Sequence, residues 1–302
     1  MNARAGAAPR NSALGAATLI FVAALWGSTF PVTKDLIARV PPADVLVVRY
    51  GIATVALALI AGRRLHLDKK LWARGAVLGL LIGGGLIVQS YGLVLTPASV
   101  SGFITGLYVV ITPLLGWLAL KERIPAITWL AAVVAAVGLA ILSLQIGVAG
   151  ISVGLGELLT LASAALFAAH IVAASVWSTP ETSLSLAVVQ GLVITLLSAL
   201  FVAPTGRLVL PSGWIDWGAM LYLALLAGAG TLFLQVWAQA HLTATTAAVI
   251  MSTEPVFSAV FAVAFGGEVV TWRMLLGGLT ILAAMYLVVG PRPRLKPPSL
   301  GP

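Results

Sequence analysis

The sequence predicts an all-α integral membrane protein of ten transmembrane helices in two inverted five-helix repeats, with both termini cytoplasmic. Three observations carry that prediction. The 302 residues have a mean hydropathy of +1.08 and 9% charged side chains, where a soluble domain carries about 25%. Ten apolar segments follow one another with short polar breaks between them. The stretch from Gln89 to Glu122 also returns without a gap as Gln235 to Glu268, 146 residues later.

The segments cover residues 13–35, 43–61, 72–94, 98–120, 125–143, 153–176, 183–203, 214–239, 244–265 and 271–289. Each is close to the ~20 residues a helix needs to cross a ~30 Å hydrocarbon core. Turn and charge signals mark the breaks, among them Pro41-Pro42, Arg63-Arg64, Thr96-Pro97 and Thr179-Pro180. Ahead of the first segment Arg4 and Arg10 lead into apolar sequence with no small-residue cleavage site. It therefore reads as a membrane helix and not as a removed signal peptide. The chain divides into residues 1–144 (helices 1–5), residues 152–290 (helices 6–10, inverted) and a basic, proline-rich cytoplasmic tail, 291–302.

Orientation follows from the basic residues. With the N-terminus inside, twelve of the 17 Lys and Arg fall on the inner face and four on the outer, with Arg49 left within the membrane. Five helices per half is an odd number, so the second copy lies upside down relative to the first. Beyond the main repeat, Val47-Val48-Arg49 matches Val188-Val189-Gln190, and Trp26 to Thr29 falls near Phe167 to His170. Inverted repeats suit alternating access, in which two equivalent halves exchange conformations. They can also support a channel.

Composition excludes other classes. The chain has no cysteine, which removes disulfides, thiolate metal sites and cysteine nucleophiles. The net charge of +8 sits at span ends, so it reads as membrane topology and not as a nucleic-acid surface. No phosphate-binding glycine loop opens a helix, and no HExxH or GxSxG motif is present. The sequence thus implies no enzyme, cofactor or metal. The expected partners are the lipid bilayer of a plasma or inner membrane, crossed many times, and a small-molecule substrate. A ten-helix chain can close its own pathway, so a monomer suffices.

A polar or ionisable side chain within a span normally faces protein or a wet cavity. Glu254, about ten residues into helix 9 and followed by Pro255, reads as a proton or ammonium site or as a hinge that satisfies freed backbone. Arg49 could bind a substrate carboxylate through paired donors, pair with Asp44, or snorkel to the interface. Gln89 and Gln235 are repeat mates that line a cavity or join helices. His170, on one face with Phe167, Ala174 and Trp177, is either a titrating site or a satisfied core histidine. Gln239 and His241 read as interfacial. Trp72, Trp129, Trp214, Trp217 and Trp272 read as the interfacial belt, while Trp26, Tyr91, Tyr108, Trp177 and Trp237 lie deeper. The expected substrate-binding set is therefore Trp26, Thr29, Gln89, Tyr108, His170, Trp177, Gln235 and Glu254, with Arg49 structural or on a carboxylate. Helices 1, 3, 4, 6, 8 and 9 should line the cavity.

Four motifs carry a family resemblance: Leu25-Trp26-Gly27-Ser28-Thr29-Phe30 with Lys34, Arg49-Tyr50, Thr112-Pro113-Leu114-Leu115 before Lys121-Glu122-Arg123, and Glu254-Pro255-Val256-Phe257 before Gly266-Gly267-Glu268. In these the chain resembles the drug/metabolite transporter superfamily and its EamA-type ten-helix exporters. The resemblance implies export of amino acids, other small metabolites or drugs, and one branch, the YddG-type exporters, handles aromatic amino acids. His170 departs from that pattern, standing where many members carry a non-ionisable or aromatic residue. Two alternatives to amino-acid export stay open: a proton-coupled exporter of a cationic drug, and an uncoupled, channel-like facilitator.

Overall fold

A computed structural model describes residues 9–65, 68–120, 126–147, 150–242, 244–251 and 253–289. The first half contains α1 (Pro9–Ile37), α2 (Pro42–Ala61), α3 (Lys69–Leu95), α4 (Ala98–Thr105), α5 (Tyr108–Leu120) and α6 (Ala126–Ser143). The second contains α7 (Leu155–Trp177), α8 (Ser183–Val202), α9 (Gly213–Leu221), a π-helical stretch (Tyr222–Gly230), α10 (Thr231–Gln239), α11 (Ala244–Met251), α12 (Glu254–Ala264) and α13 (Trp272–Val289).

Seven helical stretches among the described residues are long and apolar enough to cross a membrane: Ala13–Ile37, Pro42–Ala61, Lys69–Leu95, Ala98–Ala119, Leu155–Trp177, Ser183–Thr205 and Gly213–Gln239. The other three expected spans coincide with shorter apolar helices at Trp129–Gly138, Glu254–Ala264 and Trp272–Ala284. The fold is not purely helical. Strands β1 (Leu144–Gly147) and β2 (Gly150–Val153) pair antiparallel between α6 and α7, with Leu144 opposite Val153.

Local chemistry sets several boundaries. Pro42 stands in the first turn of α2, where a missing amide costs nothing. Asp68 caps α3 by accepting a 2.6 Å bond from the Leu71 amide. Pro97 cannot continue α3, so α4 starts afresh after it. Small residues then allow close approach: a Cβ on Gly75 or Gly79 would lie 2.7 Å from the Cβ of Val189 or Val193, so α3 rests on α8. A Cβ on Gly27 would lie 2.5 Å from that of Phe257, which brings α1 against α12.

The bundle has two recognisable ends. At the amino end the start of α1 meets the end of α10, Gly15 lying against Ala238 and Leu242. A buried cluster of Leu71, Leu78, Ala174, Leu186, Val189 and Val236 fills this end. At the far end, where α1 and α3 finish, Phe30, Leu36, Val45, Leu93, Met220 and Ala262 form a second cluster. A third, central cluster includes Leu19, Tyr108, Ile171 and Met251.

Four of the five tryptophans expected in the interfacial belt are exposed, Trp214 most of all at 84%. Trp217 instead turns inward onto the far-end cluster. Tyr91, expected among the deep aromatics, is exposed at the surface.

Candidate functional site

The candidate site begins with two interrupted helices. Between α4 and α5 the chain breaks at residues 106–107, and in the second half α11 ends at Met251 and α12 starts at Glu254. Tyr108 and Glu254 therefore each open the second piece of a broken helix, 146 positions apart. Proline explains the second break. Pro255 has no amide to give the carbonyl of Met251 four residues back, and the Tyr108 hydroxyl donates to that carbonyl at 2.6 Å. The same hydroxyl lies 3.1 Å from a carboxylate oxygen of Glu254. Both groups are buried.

Around this pair lies a partly open cavity. Eight of the nine expected residues line it: Trp26 and Thr29 from α1, Arg49 from α2, Gln89 from α3, Tyr108 from α5, His170 from α7, Gln235 from α10 and Glu254 from α12. Trp177 does not. It lines a small separate pocket with Asp68, Arg74 and Thr182, and packs on the amino-end cluster. The reason is axial distance, since seven residues from His170 advance a helix by ~10.5 Å. The two share a face but not a depth.

Polar contacts hold most of the lining in place. Trp26 Nε1 donates to Thr231 Oγ1 at 2.9 Å, and Gln89 Nε2 to Thr105 Oγ1 at 2.9 Å. His170 Nε2 sits 2.8 Å from Gln190 Oε1. Arg49 is 4% exposed and gives one bond, from Nη2 to the Ala227 carbonyl at 2.7 Å, with its guanidinium 5.1 Å from the Tyr50 ring centre. That carbonyl belongs to the π-helical stretch, whose widened turns are often found at functional sites. Arg49 Nε has no partner.

Two expectations need correction here. Arg49 neither snorkels to the interface nor pairs with Asp44, whose carboxylate accepts from the Val209 amide at 2.5 Å. Gln239 is not interfacial: it is 1% exposed. The lining also includes α2, absent from the expected set, through Arg49 and Tyr50. Thr33, Ser90 and Thr105 line the cavity without having been singled out. Their signal was modest but present, because Thr33 is one turn beyond Thr29 and Ser90 adjoins Gln89.

The far end is held by charge. Lys34 Nζ donates to the carbonyls of Leu93, Val94 and Thr96 at 2.5, 3.2 and 2.9 Å, so it caps the end of α3. Glu268 accepts from the Ala98 amide at 2.5 Å, the Ser99 amide at 3.3 Å and the Ser99 hydroxyl, so it caps the start of α4. Each sign matches the helix terminus it meets. Beside them Arg39 bridges Asp35 at 2.6 Å and Asp216 at 2.8 Å. The hydrogen-bonded carboxylates of Asp35 and then Asp216 hold its guanidinium above its ordinary range.

The comparisons with known proteins agree with this architecture. The EamA-like transporter family matches residues 13–144 and again residues 154–290. An uncharacterized transporter of Archaeoglobus fulgidus is 34% identical over 272 residues, 89% of this chain and 84% of that protein. One crystal structure, at 20% identity, superposes with a TM-score of 0.65 over 90% of this chain and 95% of the other, a likeness of fold alone. These matches carry the family and do not support the aromatic amino acid branch. The chain belongs to the EamA-like transporter family of the drug/metabolite transporter superfamily, and is a multi-pass membrane protein of transporter type.

Proposed function

We propose that this chain is a secondary transporter that exports small amphipathic metabolites, amino acids foremost, by alternating access between two inverted five-helix halves. Both termini lie in the cytoplasm, the amino end of the bundle faces inward, and the membrane is the plasma or inner membrane. The halves are the repeats expected at residues 1–144 and 152–290.

One observation carries the reading: the central part of the cavity wall, six pairs of residues, maps onto itself when the halves are exchanged. At a spacing of 141, Trp26, Thr29 and Phe30 fall on Phe167, His170 and Ile171. At 146, Gln89, Thr105 and Tyr108 fall on Gln235, Met251 and Glu254. The helices repeat likewise, Pro42–Ala61 against Ser183–Val202 and Ala126–Ser143 against Trp272–Val289. Their packing follows the same exchange: α2 lies on α8 and α6 on α13, each against its own mate. A site on such a pseudo-axis can be opened to either side by trading the conformations of its halves.

Charge supports the substrate class. Arg49 and Glu254 line the same cavity, offering a guanidinium for a carboxylate and a carboxylate for an ammonium. Trp26, Phe30, Tyr50 and Phe167 add aromatic surface for an apolar side chain.

A second reading, proton coupling at Glu254, has its own support. The single Tyr108 hydroxyl proton faces two acceptors, Met251 O and Glu254 Oε2, and a proton on Glu254 would complete the set.

Purified protein in liposomes tests both. Uptake of labelled Phe, Trp and Thr is followed against a lipophilic cation, with and without a pH gradient. Saturable amino-acid uptake supports the first reading, and its independence of the gradient would leave Glu254 a hinge. Gradient-driven transport of the cation alone would overturn the substrate class and leave Glu254 as the coupling group.

A further inference from the structure

We infer that the amino end of the bundle holds a second vestibule, closed in this structure, whose polar contact for substrate is the side chain of Gln239. The inference rests on the exchange of halves proposed above and deepens it. That exchange carries Gln89 and Leu93 of α3 onto Gln235 and Gln239 of α10, 146 positions on. It carries Thr33 of α1 onto Ala174 of α7, and Arg49 of α2 onto Gln190 of α8, 141 positions on.

The far-end members of these pairs line the cavity: Thr33, Arg49, Gln89 and Leu93. At the amino end the corresponding space is filled. Ala174 is in the apolar cluster with Leu71, Leu186, Val189 and Val236, all buried. Gln239 is 1% exposed, and among the described residues neither its Oε1 nor its Nε2 has a hydrogen-bond partner. Gln235 Oε1 is also unpartnered. A primary amide stranded in this way is costly, and its position does not demand one, because the mate carries leucine. The amide is accounted for if position 239 meets water or a polar group in the other arrangement of the same helices.

The chemistry of the vestibule follows from its residues. Gln239 and Gln190 can present donors and acceptors without a fixed charge, and the pocket at the same end adds the carboxylate of Asp68 and the cations of Lys70 and Arg74, while Arg49 stands on the other side. Such a surface takes a zwitterionic or neutral polar head in preference to a cation. An amphipathic metabolite would thus meet amides on the amino side and a guanidinium beyond the helix breaks.

The chain has no native cysteine, so single cysteines report without background. Gln239→Cys, Leu93→Cys and the lipid-facing Leu59→Cys are placed in oriented membrane vesicles and treated with a charged, impermeant thiol reagent. Minor conformations hold about 0.1–10% of a population, so Gln239→Cys should label to completion, about 10- to 1,000-fold slower than in denatured protein. Labelling should come from the face that carries the N-terminus. Leu93→Cys should label from the opposite face, and saturating Phe or Thr, the amino acids used in the liposome test, should shift the two rates in opposite directions.

If Leu93→Cys labels as expected while Gln239→Cys stays as inert as Leu59→Cys from both faces, the vestibule is overturned and the inverted halves survive. If both label from one face, the inverted halves themselves fall. Gln239→Leu supplies the second arm. It should purify and unfold no more readily than the native chain, since a stranded amide is removed, yet lose most of its net transport, and unchanged transport would show that the amide serves only packing.

Discussion

Both ends of this bundle hold a buried apolar cluster, and the far end adds charges at helix termini. The far end is pinned by charges at helix termini: Lys34 on the last carbonyls of α3, Glu268 on the first amides of α4, and Arg39 between Asp35 and Asp216. The amino end is closed by an apolar cluster around Val189 and Val236, with an unpartnered glutamine beside it. Near-mate positions thus do opposite work. Lys34 corresponds to Ser175 at a spacing of 141, and Ser175 bonds only back to its own helix at Val172. At this position the duplicated scaffold has not duplicated its lock, while the mate of Glu268, Glu122, lies outside the described residues. Opening either end must expose an apolar cluster at roughly 25 cal/mol per Å², and opening the far end must release the polar caps to water as well. The barrier to opening is thereby set separately for each side.

The largest expected effect comes from breaking the far-end cap. Glu268→Ala removes the acceptor of two amides and a hydroxyl at the start of α4. Bonds to a charged group contribute ~1.5–3 kcal/mol when buried, and partial exposure screens this one, so a loss of about 2 kcal/mol is expected. Thermal unfolding in detergent should fall by several degrees. Thiol labelling at position 93 should rise and that at 239 should not. An equal rise at both positions would mean that the two ends are not locked independently.

A smaller change sharpens the amino end. Gly75→Ala places a Cβ 2.7 Å from Val189 Cβ, closer than real contacts allow, so α3 and α8 must separate. Overpacking costs ~1–3 kcal/mol, and the better helix propensity of alanine returns up to ~1 kcal/mol. The net is a destabilisation of about 1 kcal/mol, with faster labelling at 239 and none gained at 93. A variant as stable as the native chain, with slow labelling at 239, would mean that this contact does not hold the amino end shut.

How much of this comparison was legible beforehand depends on which physical signal a residue gives. Helix existence was legible, because lipid leaves the backbone no other way to satisfy its hydrogen bonds. The second helix break was legible at Glu254-Pro255, since proline removes a specific amide. The cavity residues stood out as polar groups in apolar helices, and their repeat spacing paired them. Depth along a helix was harder. Trp177 shares a face with His170 but lies nearly two turns away in the amino-end cluster. The state of Gln239 depends on what neighbouring helices bury, which periodicity does not report. The π-helical turn at Tyr222–Gly230 has the same apolar composition as an ordinary helix, and the β1–β2 ribbon lies in a link too short to give a strand pattern.

The smallest expected effect separates the two kinds of far-end charge. Arg39 is exposed, its pair with Asp35 lies in water, and its pair with Asp216 reaches a carboxylate that is itself buried. Exposed pairs contribute little and are screened once the Debye length falls from ~10 Å at 0.1 M salt to ~3 Å at 1 M. Arg39→Ala should therefore unfold slightly below the native chain at low salt and together with it at 1 M. Glu268→Ala should keep most of its deficit at 1 M, because its partners are backbone amides at a partly buried helix start. If salt erased both deficits alike, the far end would be an electrostatic surface and not a capped turn. If Arg39→Ala kept its deficit in salt, the Arg39–Asp216 contact, whose carboxylate is buried, would join the cap as a structural tie between α1 and α9.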